Sequence, residues 1–285
     1  MKSSWIILAF FITFAALNSY AMEIETQVSQ IEVSEHVYGP SLIFLTSGHV
    51  AKVFPGNNEM IQDLSHAKQD QNWLKITLSD EREITHIEFI AAPFKINSRN
   101  YTSSDKSITT ELPSVLSSMN LARKIFNYAR YKDKESQCFN RAHIWSYEWK
   151  ADNNVNTAKM FLFFSVKYIR ENNFQWWFHV APYVHVVIGT DIKERIMDKK
   201  YTEGPSSVRE WVGKFLADGT ECRTVNIFSD FVNYPESGDC YLMRSSMYTY
   251  WPLDLEMEEL NGSMKKNWVP EEIHQAYIDA LDVTI

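Results

Sequence analysis

The sequence predicts an α+β fold in two units, and three observations predict it. Short runs with strand-like alternation flank one polar helix between Ser41 and Ile90. A polar, Ser-rich stretch breaks that pattern from Asn97 to Thr110. Beyond it, two helical stretches lead into aromatic runs of strand type. Such segregation of helices and strands is the α+β signature. At roughly 100–200 residues per domain, a chain of 285 residues holds one or two domains.

The first residues read as a targeting segment. Lys2 supplies a positive start, Trp5 to Leu17 is apolar, and Ser19-Tyr20-Ala21 is a small-x-small cleavage site. The apolar run is short of the about 20 residues that span a bilayer. Residues 1–21 are therefore expected to be a secretory signal peptide, with Met22 starting a mature chain that is secreted or periplasmic. No later segment is apolar enough to cross a membrane.

Residues 22–96 form the first predicted unit. Ser41–Leu45 and His49–Phe54 read as strands around a Thr46-Ser47-Gly48 turn. Asn57–Asn72 is predicted helical, and Trp73–Leu78 and Ile84–Ile90 alternate as half-buried strands do. Residues 97–112 read as a linker open to proteolysis at Arg99 or Lys106. Residues 113–285 form the second unit. Pro113–Arg130 and Cys138–Trp149 are predicted helices, with Ser136 as the second helix's N-cap and Ala142, Trp145 and Trp149 as its buried stripe. Met160–Ile169, Phe174–Ile188 and Glu194–Met197 are predicted strands.

The net charge is −8, spread along the chain. Nucleic acid is disfavoured as a partner, because phosphate binding needs concentrated Lys and Arg. No basic amphipathic stretch marks a membrane surface, and no metal or cofactor site is read. There are three cysteines. In an oxidising compartment paired thiols become disulfides. Cys222 and Cys240 flank a turn-rich segment and are the natural pair, although pairing of Cys138 with either stays open. A Cys138 left unpaired in an exported protein is a candidate nucleophile.

A thiol attacks an amide as the thiolate. The first turn of a helix favours an anion, a histidine can take the proton and return it to the leaving amine, and a carboxylate fixes that histidine's tautomer. Cys138 on a helix, His179 on the next long strand and Asp198 after the following one supply these three. His143, five residues from Cys138 on one helix, falls off the thiol's face and reads as structural. His185 is roughly 20 Å along the strand from His179, at a rise of ~3.3 Å per residue. Asp191 and Glu194 are alternative orienting carboxylates. Trp145, Trp176 and Trp177 read either as walls of the site or as core.

Cys138-Phe139-Asn140-Arg141-Ala142-His143, Trp177-Phe178-His179-Val180-Ala181 and Arg195-Ile196-Met197-Asp198, in this order and spacing, resemble the protein-glutaminase (protein-glutamine deamidase) family. The resemblance covers about residues 136–200. It implies Cys138 as nucleophile, His179 as general base and acid, and Asp198 as orienting carboxylate. It also implies a papain/transglutaminase-like catalytic domain, a helix-borne Cys facing an antiparallel sheet. The implied reaction hydrolyses glutamine side-chain amides of a protein or peptide substrate through a thioester. Family members carry an N-terminal pro-region over the active site, so the 22–96 unit is expected to be pro-like, to lie near Cys138 and to inhibit it intramolecularly. One departure stands out: Lys199-Lys200 follow Asp198, where the family usually has Pro-Ser. A transglutaminase, a cysteine peptidase or a decayed binding protein are the alternatives.

Overall fold

A computed structural model describes residues 21–35, 38–92, 112–133, 135–233 and 238–283. Nearly all of the expected signal peptide and of the expected linker, with Arg99 and Lys106, lie outside the described residues.

The first part holds two three-stranded antiparallel sheets and one helix. Its elements are β1 (Met22–Thr26), β2 (Val28–Glu32), β3 (Ser41–Leu45), β4 (Val50–Val53), α1 (Asn58–Gln69), β5 (Trp73–Leu78) and β6 (Ile84–Ile90). The sheets run β1-β5-β6 and β2-β3-β4. Ile24, Ile43, Leu45, Leu64, Leu74 and Ile76 close a core between them. In α1 only Leu64 and Ala67 are buried, which is why the helix looked polar in sequence. Strands β1 and β2 were not expected. They are short, and most of their residues are exposed or only partly covered, so no apolar run marks them.

The second part is built on a six-stranded sheet in the order β10-β9-β8-β12-β11, with β7 beside β9. The elements are β7 (Val115–Leu116), α2 (Met119–Tyr128), α3 (Cys138–Asn153), β8 (Ala158–Phe164), α4 (Val166–Asn172), β9 (Phe178–Ile188), β10 (Asp191–Ile196), α5 (Val208–Val212), β11 (Arg223–Val225), α6 (Phe228–Asn233), β12 (Cys240–Ser246), α7 (Pro252–Asn261) and α8 (Pro270–Leu281). Helix α3 packs on β9 and along α8. It is buried on nearly every side, so its sequence lacks a single apolar stripe. Cys222 and Cys240 are disulfide-bonded, and Cys138 is a free thiol.

Three expectations are corrected. Pro113–Arg130 is not one helix: Val115–Leu116 forms β7 beside β9, and α2 starts only at Met119, after its N-cap Ser118. The run Met160–Ile169 is not one strand. Ser165 accepts a hydrogen bond from the Tyr168 N–H and starts α4 there. The N-cap of α3 is Gln137, not Ser136. The Ser136 hydroxyl and carbonyl accept from the Arg141 guanidinium instead.

The two parts meet along the Leu45–Val50 turn. Val50 N–H donates to the Gln175 carbonyl at 2.9 Å, Trp177 N–H donates to the Gly48 carbonyl at 3.0 Å, and the Trp177 indole donates to the Leu45 carbonyl at 2.7 Å. Gly48 sits at φ +92, a left-handed conformation that favours glycine, with the Phe178 and Trp176 rings packed 3.4 Å from where a Cβ would stand. Arg82 reinforces the seam by donating to the carbonyls of Phe174 (2.7 Å) and Asn173 (2.8 Å).

Candidate active site

Cys138 is the first residue of α3 and is 7% exposed. Its thiol lies close enough to His179, the second residue of β9, to help raise that imidazole's pKa. The hairpin of β9 and β10 turns through Gly189 and Thr190 and pairs Ile196 with Tyr183. It carries the chain back so that Asp198 lies beside the imidazole. His179 Nε2 donates to Asp198 Oδ2 at 2.7 Å, since an ionised carboxylate only accepts. Nδ1 is then the ring nitrogen left for the thiol. The three side chains singled out from sequence therefore meet at the head of α3.

Burial alone would lower the pKa of His179. The charge and hydrogen bond of Asp198, joined by those of Cys138, outweigh it and raise the pKa to about 9. Burial likewise pushes the Asp198 carboxyl up. The neighbouring His179, the Arg141 charge and the Trp211 N–H prevail and hold it below its ordinary value.

Several residues of the site carried no sequence signal. The Trp211 indole donates to Asp198 Oδ2 at 2.9 Å, giving that oxygen a second donor. Phe215 lies 4.5 Å and Tyr201 5.0 Å from His179, ring centre to ring centre. They wall off the imidazole. Arg141, quoted only as part of a motif, is 5% exposed and its charge is felt by Asp198.

The lysines after Asp198 do not disturb it. Lys199 Nζ donates to the carbonyls of Asn127 (3.1 Å) and Ala129 (2.8 Å) at the end of α2. Lys200 offers Asp198 Oδ1 its backbone N–H at 3.2 Å and sends its ammonium towards Asp133 at 3.6 Å.

The other candidates lie elsewhere. His143 is fully buried and faces Lys159 Nζ at 2.8 Å. His185 sits across from Glu194 in the sheet. Asp191 pairs with Lys193 and Glu194 with Arg244, so neither orients His179. Trp145 and Trp177 are core. Trp176 lines a cavity of about 630 Å³ beside the head of α3, with Gln137, Phe139 and Asn140 on one side and Ser47 and His49 of the first part on another. The first part thus lies near Cys138. Among the described residues no cluster of His, Cys, Asp and Glu could hold a metal ion, and no helix is long and apolar enough to cross a membrane.

A free thiol on a helix N-terminus, facing a His that is bonded to an Asp, defines a Cys-His-Asp arrangement able to support acyl transfer. Residues 115–215, which contain the whole site, match the family model Gln_deamidase_2, described as Glutaminase. This match agrees with the resemblance to the protein-glutaminase family read from the motifs. The fold is similar to a crystal structure of pro-protein-glutaminase at 16% identity, over 90% of this chain and 92% of that one, with a TM-score of 0.53. A structure of the A47Q2 mutant of pro-protein-glutaminase is similar at 17% identity, over 81% and 85%, with a TM-score of 0.51. No curated protein matches the sequence.

Proposed function

We propose that this chain is a secreted protein-glutamine deamidase acting through a Cys138 thioester. The observation that carries the proposal is His179, held between the Cys138 thiol and the Asp198 carboxylate. The Cys138 thiolate attacks the carbon of a glutamine side-chain amide, its proton having passed to His179. The oxyanion takes a hydrogen bond from the Cys138 N–H, a donor that helix N-termini present. The imidazolium gives its proton to the leaving nitrogen, so ammonia departs and a thioester remains. Water, deprotonated by His179, then hydrolyses the thioester to glutamate and restores the thiol. Asp198, doubly bonded by His179 and Trp211, orients the ring throughout.

The catalytic unit is residues 113–285, papain/transglutaminase-like in having a helix-borne Cys against an antiparallel sheet. Residues 22–96 act as a pro-like unit that restrains the site until the 97–112 linker is cut. The seam of Leu45–Val50 against Gln175–Trp177, and the similarity to pro-protein-glutaminase structures along most of the chain, support this reading. Residues 1–21 direct export. The disulfide between Cys222 and Cys240 fits an oxidising compartment.

The test is ammonia release from an unfolded glutamine-containing protein, before and after limited proteolysis. Release that rises on cleavage and stops with iodoacetamide supports the proposal. No release from either form sinks it, and an uncut chain as active as the cut one removes the pro-like role.

A further inference from the structure

Helix α3 begins without a cap of its own. A helix leaves its first four N–H groups unpaired, and a Ser, Thr, Asp or Asn at the N-cap usually serves one of them. Here the N-cap is Gln137, whose side chain makes no capping bond. In a capping box the third helical residue would reach back to the N-cap N–H. That residue is Asn140, and it is occupied otherwise. Its Oδ1 accepts from the Tyr250 hydroxyl and its Nδ2 donates to Asp279 at 2.8 Å.

Asp279 closes the gap from α8. Its Oδ2 accepts the Gln137 backbone N–H at 2.9 Å and the Asn140 amide at once. One carboxylate oxygen, 142 residues away in sequence, thus joins the same two positions that a capping box joins. The frame behind it is closed. Asn140 is 3% and Tyr250 1% exposed. Burial, with the charges of Glu272, Asp279 and Asp254, pushes the Tyr250 phenol well above its ordinary value and keeps its proton on as a donor. The bonded N–H belongs to the residue just before Cys138, so the turn that sets the thiol's direction is the turn Asp279 holds. Asp279 also lies outside the 115–215 match.

We propose that Asp279 is a positioning residue for Cys138, supplying from α8 the cap that fixes the head of α3. This rests on the deamidase reading for its kinetic consequence, but not for its structural one.

The test compares Asp279→Ala and Asp279→Asn in the full chain. An Asn oxygen can still accept both bonds. The Ala variant should lose about tenfold in kcat for ammonia release from a blocked glutaminyl dipeptide, with KM within about twofold, as expected for misplaced reacting groups. Amide exchange at Gln137–Arg141 should quicken at least about tenfold. The Asn variant should restore both. Exchange needs no substrate, so it reads the cap even if wild type releases no ammonia, a result that would sink the deamidase reading alone. Three results overturn the proposal: unchanged exchange in the Ala variant, an Asn variant as impaired as Ala, or a change in KM with kcat intact.

Discussion

Among the described residues, the buried imidazoles of His179 and His143 are driven in opposite directions. His179 faces Asp198 and is raised to about 9. His143, on the helix that carries Cys138, is held well below its ordinary value, by burial first and then by the charges of Lys159 and Lys265. Burial opposes the charged ring in both, so the neighbour decides. Beside a carboxylate the ring carries a proton at neutral pH and can serve as an acid. Between lysines it stays neutral and accepts from Lys159 Nζ. The two environments divide the buried polar groups of the second part into one set suited to proton transfer and one that ties α3 to the C-terminal helices.

The second set is extensive. Lys265 bridges Asp254 at 2.9 Å and Glu272 at 2.6 Å, and Thr249 donates to Glu258 at 2.9 Å. Burial lowers Lys159 to about 7, and burial with the Asp254 charge raises Glu258 to about 7. No member of this set touches Cys138 or His179 by any bond described.

The comparison can be broken most severely at the site. Cys138→Ala and His179→Ala should each cut ammonia release by at least about a thousandfold while the chain stays folded, because nucleophile and base act as a unit. Equal activity in either variant would dissolve the distinction between the two regions. Asp198→Asn should cost about a hundredfold or more through the wrong tautomer. It should also move the alkaline limb of the pH–rate profile downward from about 9, since the Asp198 charge is what raises His179. A limb that stays in place would show that something else holds the proton.

Lys159→Met sharpens the contrast from the other side. It leaves the buried His143 ring and Thr249 carbonyl without their shared donor and should cost about 1–3 kcal/mol of stability, with turnover per folded molecule within about twofold of wild type. Denaturant midpoints and active-site titration check this together. Reduction of the Cys222–Cys240 bridge, whose separation is 18 residues, should cost a similar ~3 kcal/mol by the chain-entropy argument.

A pH dependence separates the two histidines. The folded-state pKa of His179 is raised from 6.5 to about 9, so the stability its proton gives is full below 6.5 and is lost as pH rises through 9. His143 is depressed, so its contribution is full above 6.5 and falls as pH drops below that. Unfolding free energies of His179→Gln and His143→Gln against wild type, at several pH values, should diverge with opposite slopes. Parallel slopes would contradict the assignment of charge.

The parts of this site legible in sequence were those with local signatures. Cys138 stood out as the odd thiol, His179 as a polar residue in an apolar strand, and Asp198 through a hairpin whose turn at Gly189 could be read. The rest depends on distant segments. Trp211 and Phe215 follow Asp198 after a loop of no marked pattern, and their roles come from the fold that turns them back onto β9. Asp279 looks like any acidic residue late in a helix. Helix α4 was hidden inside an apolar run, where Ser165, followed three residues later by the Tyr168 N–H it caps, was the one available signal. Strands β1 and β2 gave none, being short and half-covered.

The central claim is that the thiol held against His179 hydrolyses a glutamine amide. It is tested most directly by the mass of a one-glutamine peptide after incubation with the cleaved chain and, in parallel, with its Cys138→Ala variant. The account predicts a gain of about 1 Da and one ammonia per peptide with the active thiol, through an acyl-enzyme, and neither with the variant. An unchanged peptide, a cut backbone or an amine crosslink from the intact thiol would contradict it.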